Sequence, residues 1–191
     1  MNEYLKKIVA LEDNNDRFEC FNVLLKHNII DIKEIEDYYV DNVSEDTVLF
    51  AKWYYDYVND KRLEDAVIKS RNAEYIYWFA LEIKEANIPK LENAIIESKS
   101  AKYIYCFARA VKGANISKLK DAILKTRDIY YILLFAMDIL KIEIKELNEE
   151  LYIKCTFLDK EERQKSLEEL KTFINNTNKI EDTPKKRVKS K

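Results

Sequence analysis

The sequence predicts an all-α protein, an α-α solenoid of tandem two-helix repeats with capping helices at its ends. The chain of 191 residues contains one glycine and two prolines, whereas a β-rich fold needs turn residues about every 8–12 positions. In addition, the stretch "AEYIYWFALEIKEANIPKLENAI" at 73–95 returns as "AKYIYCFARAVKGANISKLKDAI" at 101–123, 28 residues later. Self-similarity at a fixed period is the sequence signature of a repeat architecture.

The N-terminal residues, 1–34, are predicted to form capping helices, one of which contains "RFECFNVLLKH". The aromatic segment "FAKWYYDYV" at 50–58 holds too many large side chains for one buried face. Either these aromatic residues cover the first repeats as part of a cap, or some of them are exposed for a partner. We favour the cap.

The repeats are predicted to occupy residues 35–158. Related tripeptides recur every 28 residues and begin at Ile35, Leu63, Leu91, Leu119 and Leu147. The three inner units are close copies, and the two outer units have diverged. Terminal repeats of an array commonly diverge because one of their faces has no neighbouring repeat to cover it.

The first helix of each unit is predicted from about residue 63 to residue 70. Leu63, Ala66 and Val67 share one face at i, i+3 and i+4. Alanine recurs at the same repeat position, where a small side chain allows helices to approach closely: Ala66, Ala94 and Ala122.

The second helix is predicted from about Ala73 to Lys84. Its apolar stripe contains residues at i, i+3, i+4 and i+7, namely Ile76, Phe79, Ala80 and Ile83. The counterparts in the next two units are Ile104, Phe107, Ala108 and Val111, then Ile132, Phe135, Ala136 and Ile139. Isolated helices of this length are marginal, so the units are expected to stack and to share one core.

Two residues are predicted to start the first helices of successive units. Pro89 can begin a helix without removing a needed hydrogen-bond donor, and Ser117 is predicted to cap the following unit. Near the C-terminus, Asp159 and Glu162 have the spacing of a capping box, which predicts a C-terminal capping helix over 159–175. Residues 176–191 are predicted to be a flexible basic tail, which ends in "PKKRVKSK".

Charge is distributed unevenly along the chain, although its net value is only −2. Residues 1–60 carry 6 basic and 14 acidic side chains, and residues 61–146 carry 16 basic and 12 acidic ones. The last 45 residues carry 11 basic and 9 acidic side chains. An acidic head joined to a mildly basic body can orient a partner.

The sequence predicts a cytoplasmic protein. It has no apolar run of the ~18 residues that span a bilayer, and its start lacks the apolar region of a signal peptide. The three cysteines, Cys20, Cys106 and Cys155, are odd in number and far apart, so we expect buried free thiols.

We find no catalytic constellation and no metal-ligand spacing, and the sequence therefore predicts neither an enzyme nor a cofactor. One glycine excludes a phosphate-binding glycine loop. The single histidine, His27, ends an apolar stretch and is expected to be a C-terminal helix residue. No small-molecule substrate and no membrane contact are expected. A helical-repeat enzyme would need a carboxylate beside aromatic side chains in a concavity.

The candidate partner-binding residues form columns at the repeat period. One tyrosine column contains Tyr75, Tyr103 and Tyr131, which are expected to stack from repeat to repeat, and a second contains Tyr77 and Tyr105. A basic column precedes the first by four residues and contains Arg71, Lys99 and Arg127; a shorter one contains Lys84 and Lys112. Tyrosine with arginine or lysine is typical of interaction hot spots.

Two other interpretations of these columns remain open. Duplication of a repeat creates columns automatically, so the tyrosines can serve packing alone, with each hydroxyl at the edge of the core. The mixture of aromatic and basic side chains also suits phosphates and unstacked bases. We rank a protein partner first and nucleic acid second, because a dedicated nucleic-acid binder carries a stronger basic stripe.

The motif Tyr-Ile-Tyr-x-Phe-Ala, followed by Gly-Ala-Asn-Ile and Leu-x-x-Ala-Ile, lies at Tyr103–Ala108, Gly113–Ile116 and Leu119–Ile123. It resembles a short repeat of uncharacterised proteins from low-GC Firmicutes and their phages, over roughly residues 61–146. The chain more loosely resembles HEAT-like arrays, which bind other macromolecules. The resemblance implies a non-enzymatic binding protein, and extends to a phage or mobile-element inhibitor of a host defence system (anti-CRISPR-like).

Overall fold

The computed structural model describes residues 2–54, 58, 60–141 and 172, and in this part of the chain all regular structure is α-helical. This confirms the predicted fold class. The helices are α1 (Glu3–Val9), α2 (Asn14–Lys26), α3 (Ile32–Asp41), α4 (Glu45–Trp53), α5 (Asp60–Ser70), α6 (Ala73–Glu82), α7 (Ile88–Ser98), α8 (Ala101–Ala110), α9 (Ile116–Thr126) and α10 (Ile129–Asp138).

Helices α3 to α10 form four consecutive pairs that pack in two layers. Within a pair, the first helix contacts the second; between pairs, α4 contacts α6, α6 contacts α8, and α8 contacts α10. The other layer contains the first helices, with contacts between α3 and α5 and between α7 and α9. The repeats therefore share a continuous core.

The core repeats with the sequence. Each first helix buries one aliphatic residue completely at the same repeat position: Ile35, Leu63, Leu91 and Leu119. The second helices bury an aromatic column in the same way: Phe79, Phe107 and Phe135. The predicted stripes are confirmed except at Ile139, which is half-buried. Ile83 and Val111 also follow their helices, but their extended backbone buries the side chain, whereas Ile139 keeps a right-handed helical conformation.

The helices before the repeats cover the first pair with aromatic side chains. Phe18 of α2 stacks on Trp53 at 4.6 Å between ring centroids. Tyr54 is buried, and its hydroxyl donates a hydrogen bond to Asn22 Oδ1 at 2.8 Å. Trp53 nevertheless keeps 49% of its surface exposed. The aromatic segment therefore includes both a capping residue and an exposed one.

Several predicted boundaries are wrong by a few residues. The second helix ends at Glu82 instead of Lys84, because Ile83 adopts an extended conformation that buries its side chain in the core. The first helix begins at Asp60 instead of Leu63. The first pair begins at Ile32, inside the segment assigned to the N-terminal cap.

The prediction that Ser117 caps a helix is wrong, whereas the prediction for Pro89 is confirmed. Pro89 lies in the first turn of α7. The N-cap of α9 is Asn115, whose side-chain oxygen accepts a hydrogen bond from the Lys118 N–H at 3.1 Å. Asn87 caps α7 in the same way. Ser117 lies within the first turn, where its side chain cannot cap that helix.

Some predictions fall outside the described residues: the tripeptide at Leu147, the thiol of Cys155, the capping helix over 159–175 and the tail over 176–191. In the part of the chain that the structure does describe, the helices are too short or too polar to cross a membrane.

Candidate functional site

The outward side of the second-helix layer exposes large apolar side chains. Of the seven large hydrophobic residues exposed among the described residues, four lie on second helices: Trp53, Trp78, Leu81 and Tyr130. Trp78 and Leu81 are 39% and 37% exposed and lie one turn apart on α6. Folding does not bury these groups, so this surface is the first candidate for a partner contact.

Two series of aromatic ring contacts connect neighbouring second helices beside these residues. We call them the tyrosine ridges. In the first, Tyr77 contacts Trp78 and also contacts Tyr103 of the next repeat, with centroids 5.1 and 6.0 Å apart. In the second, Tyr131 contacts Tyr105 of the preceding repeat at 6.1 Å and Tyr130 at 5.1 Å.

The ridges correct the predicted stacking within columns. Ring contacts between described tyrosines of successive repeats join different columns: Tyr77 meets Tyr103, and Tyr105 meets Tyr131. Equivalent residues are separated by the distance between neighbouring helix axes, roughly 8–10 Å, which exceeds the spacing of ring contacts. Tyr75 is half-buried against the core and joins neither ridge.

Cations do contact the ridges, although they are not the ones predicted. The Lys102 ammonium lies 4.8 Å from the centroid of the Tyr103 ring. Arg109 lies over Tyr105, one helical turn away, and its Nη1 donates a hydrogen bond to the Tyr105 hydroxyl at 3.2 Å. That hydroxyl in turn donates to the carboxylate of Asp138. The i, i+4 spacing of Tyr105 and Arg109 was the sequence signal for this contact.

The ridge hydroxyls are held in their protonated form. Burial, with a further contribution from the Asp138 carboxylate, raises the pKa of Tyr105 above its ordinary value. Burial also raises the pKa of Tyr77 and of Tyr103. Tyr105 is buried, and its hydroxyl is already bonded to Asp138 and Arg109, so this predicted site residue supports the ridge from inside. The half-buried Tyr77 and Tyr103, in contrast, lie at the edge of the apolar surface, where tyrosine is common at interfaces.

The predicted basic column lies at the turns between the two helices of each pair. Arg71, Lys99 and Arg127 follow α5, α7 and α9 and have left-handed φ angles of 57°, 55° and 62°. All three are exposed. We call them the cation edge. In the described part of the chain, their side chains make no ion pair, hydrogen bond or ring contact, so the predicted proximity to the tyrosines is not a direct contact.

Lys84 and Lys112 are also exposed, after the C-terminal ends of α6 and α8. They too lack a side-chain partner within the described residues. The predicted site therefore separates into distinct places: the tyrosine ridges on the second-helix layer, the cation edge at one set of turns, and this pair of lysines after the second helices.

A series of buried glutamates was missed from the sequence. Glu36, Glu64 and Glu92 recur at the repeat period and are 4%, 5% and 3% exposed. Each pairs with a cation of the next repeat, and the pairs are Arg62–Glu36 at 3.1 Å, Lys90–Glu64 at 3.5 Å and Lys118–Glu92 at 3.2 Å. These three cations are therefore engaged inside the molecule. The signal was present as an acidic column one residue after each leucine or isoleucine.

The cavities offer little that resembles a catalytic site. One cavity of about 680 Å³ lies near the start of α3 and includes Asp31, Asn22 and Tyr54. Asp31 caps α3 by accepting the Lys33 N–H at 2.9 Å, and Tyr54 donates to Asn22, so these polar groups serve the fold. Among the described residues, no three acidic, histidine or cysteine side chains converge as a metal site requires.

The described cysteines are free, as predicted, but only half-buried. Cys106 lies on α8, one residue after Tyr105, and burial raises the pKa of its thiol. Comparison of the chain with protein-family models, curated proteins and solved structures finds no match.

Proposed function

We propose that this chain is a non-enzymatic repeat protein that binds another macromolecule, most directly a protein, through the tyrosine ridges and the exposed side chains beside them. The observation that carries the proposal is the pair of ridges with Trp78, Leu81 and Tyr130 exposed at their flanks. Tryptophan, tyrosine and arginine dominate the binding energy of protein interfaces.

The ridges suit a protein partner because they are rigid before binding. Ring contacts to the neighbouring helix restrict Tyr77, Tyr103 and Tyr131, and two further bonds restrict the Tyr105 hydroxyl. A side chain that is ordered in the free protein loses little conformational entropy when it binds. The surface also combines apolar area with hydroxyl and guanidinium donors, as the central part of an interface does.

Nucleic acid is the second candidate, favoured by one observation. The cation edge and the pair Lys84 and Lys112 are exposed and unpaired among the described residues, and phosphates are natural partners for such groups. The charge of the first 60 residues opposes this interpretation, since 14 acidic side chains against 6 basic ones repel a polyanion.

The biological setting belongs to the same proposal. We infer that the protein works in the cytoplasm of a bacterial or phage-infected cell and blocks a host defence component by occupying its surface. The resemblance of the repeat to those of low-GC Firmicutes and their phages supports this setting. Blocking requires binding alone.

A pull-down from host lysate tests the proposal. The bait is the full chain, used as wild type, as the double variant Trp78→Ser/Leu81→Ser, and as the control Asp121→Ser. Asp121 is exposed on α9, in the other layer. Each lysate is divided into samples with and without nuclease and at low and moderate salt. Thermal melts of the three baits check that each is folded.

The proposal predicts a discrete protein that survives nuclease and moderate salt, is retained by the control, and is depleted about tenfold or more with the double variant. Recovery of nucleic acid alone, lost at moderate salt, would contradict it and support the second candidate. Equal recovery of the protein with the double variant would show that the partner binds elsewhere.

A further inference from the structure

The cation edge carries an unfavourable backbone conformation in three consecutive repeats. A left-handed residue at the end of a helix is usually glycine or asparagine, since a β-carbon raises the energy of that conformation. In this protein, Arg71, Lys99 and Arg127 occupy that position in three successive repeats, with φ between 55° and 62°. The turn between α3 and α4 has Val43 at the equivalent position, and its residues all keep negative φ. The fold therefore forms this turn without a left-handed cation.

The three side chains make no ion pair, hydrogen bond or ring contact within the described residues. Other cations of the same repeats are engaged: Arg62, Lys90 and Lys118 pair with buried glutamates. A cation at the end of a helix also interacts favourably with the helix dipole. This accounts for Lys99, since α7 has no basic residue in its last turn, whereas α5 and α9 already have Lys69 and Lys125 there. We conclude that the two arginines of the edge serve a contact outside the chain, to which Lys99 adds its charge.

We propose that the cation edge, formed by Arg71, Lys99 and Arg127, binds the carboxylates of an extended acidic segment of the protein partner. This inference rests on the proposed function and adds the chemical class of the segment that the partner presents. Arginine recognises carboxylates with two parallel hydrogen bonds, and lysine adds a point charge.

The geometry of the repeats also fixes the spacing of the acidic residues. Neighbouring helices in a layer lie roughly 8–10 Å apart, so successive cations of the edge are separated by about that distance. A polyproline II segment rises about 3.1 Å per residue with three residues per turn, which places every third side chain on one face about 9 Å apart. The expected motif is therefore acidic at every third residue.

Charge favours an acidic peptide over nucleic acid at this edge. A nucleic acid responds to the field of the whole protein, and the chain has a net charge of −2 with its negative charge concentrated in residues 1–60. A short acidic peptide carries fewer negative charges than a nucleic acid, so this field repels it less. Three cations in successive repeats suit discrete carboxylates better than a continuous line of phosphates.

Fluorescence anisotropy with the full chain tests this inference. The first probe is a labelled peptide with three glutamates at every third position, separated by Pro-Ser. The second has the same composition with the glutamates adjacent, and the third is a single-stranded oligonucleotide. The variant is Arg71→Gly/Lys99→Gly/Arg127→Gly. Glycine relieves the left-handed conformation, so the melting temperature is expected to stay the same or rise, which separates lost binding from lost folding.

We expect the spaced peptide to bind several-fold more tightly than the clustered one, and to lose about tenfold in affinity with the glycine variant. Equal binding of the two peptides, or unchanged binding by the variant, would overturn the inference. Tighter binding of the oligonucleotide that is lost with the variant would also overturn it, in favour of nucleic acid. If the pull-down partner depends on Trp78 and Leu81 and is unaffected by the glycine variant, the proposed function stands and this inference alone fails.

Discussion

Glu64 accepts a hydrogen bond through Oε2 from the backbone N–H of Asn87, 2.7 Å away and 23 residues later in the chain. Glu92 makes the same bond with the Asn115 N–H at 2.6 Å. Asn87 and Asn115 are the N-caps of α7 and α9, so a carboxylate of one repeat holds the start of the next. This contact, together with the cation that covers each glutamate, fixes the register in which repeats stack.

We predict that Glu92→Ala costs about 2–4 kcal/mol of the free energy of unfolding. The substitution leaves the Asn115 N–H without its acceptor and Lys118 without its ion-pair partner, and an unsatisfied buried donor costs about 1–3 kcal/mol by itself. Glu92→Gln keeps an oxygen acceptor and is expected to cost about half as much. Denaturant unfolding of both variants measures the difference.

Lys118→Ala is the matched comparison, because it leaves the bond from the Asn115 N–H to Glu92 in place. It also leaves the buried Glu92 carboxylate, whose side chain is 4% exposed, without its counterion, so we expect a measurable cost that stays below that of Glu92→Ala. A cost for Lys118→Ala equal to that for Glu92→Ala would show that the ion pair, instead of the backbone hydrogen bond, holds the repeats together.

Truncating a side chain is predicted to cost much more stability in the core than on the tyrosine ridges. Phe107→Ala removes a fully buried ring and is expected to cost about 3–5 kcal/mol. Trp78→Ala removes a ring that is 39% exposed and is expected to cost about 1 kcal/mol or less. Thermal melts measure both. A large loss for Trp78→Ala would mean that this residue stabilises the fold, and would weaken its assignment to a partner.

A buried ion pair near the N-terminus is predicted to contribute more to the free energy of unfolding than the exposed ion pairs do. The Arg17 side chain is 8% exposed, binds the Asp46 carboxylate and donates to the Leu11 carbonyl. Asp46→Ala leaves this buried charge without its counterion and is expected to cost about 3 kcal/mol. Arg17→Met/Asp46→Ala is expected to recover part of the loss in urea unfolding. If the double variant is less stable than Asp46→Ala, the buried charge is not the cause.

The fold is predicted to lose stability in alkali. Burial raises the pKa of Tyr54 to about 12 and also raises that of Tyr39. Unfolded tyrosine ionises near pH 10, so the unfolded chain releases these protons first. The stability that these two tyrosines contribute is therefore fully present below about pH 10 and is lost as the pH rises toward about 12.

A titration of tyrosinate absorbance, followed together with helical circular dichroism, tests the alkaline prediction. The part of the tyrosinate absorbance that appears at the highest pH should rise together with the loss of helical signal. Tyr54→Phe should reduce that part. Complete ionisation of all tyrosines with the helices intact would contradict burial as the cause.

Periodicity was sufficient to predict the fold and most of its core. The stripe Ile76, Phe79, Ala80 and Ile83 is buried as expected, because apolar residues at helical spacing must find a common face. Helix ends were less predictable. Ile83 leaves α6 to reach the core, which depends on tertiary contacts. Asn115 caps α9 in place of Ser117 through a local hydrogen bond to the Lys118 N–H, and asparagine and serine are equally favoured caps, so residue type alone does not choose between them.

The arrangement of the candidate tyrosines differs from the one expected. Alignment by repeat position places Tyr75, Tyr103 and Tyr131 in one column. Equivalent residues lie on neighbouring helices, however, and the distance between those helix axes is too large for ring contact. Contacts form instead between different positions of neighbouring helices, as for Tyr77 and Tyr103. The acidic column of Glu36, Glu64 and Glu92 was visible in the sequence, but its burial was missed because the partner of Glu64 and of Glu92 is a backbone N–H of the following repeat.

Site-specific photocrosslinking tests the central claim, that a partner binds the outward side of the second helices. A photoreactive phenylalanine replaces Trp78 in the full chain, and in a matched protein it replaces Asp121 on α9 of the other layer. Both are exposed to nuclease-treated host lysate and irradiated. We expect a discrete protein adduct from position 78 and none from position 121. An adduct from position 121 alone, or none from position 78 when the wild-type bait captures a partner, would contradict that claim.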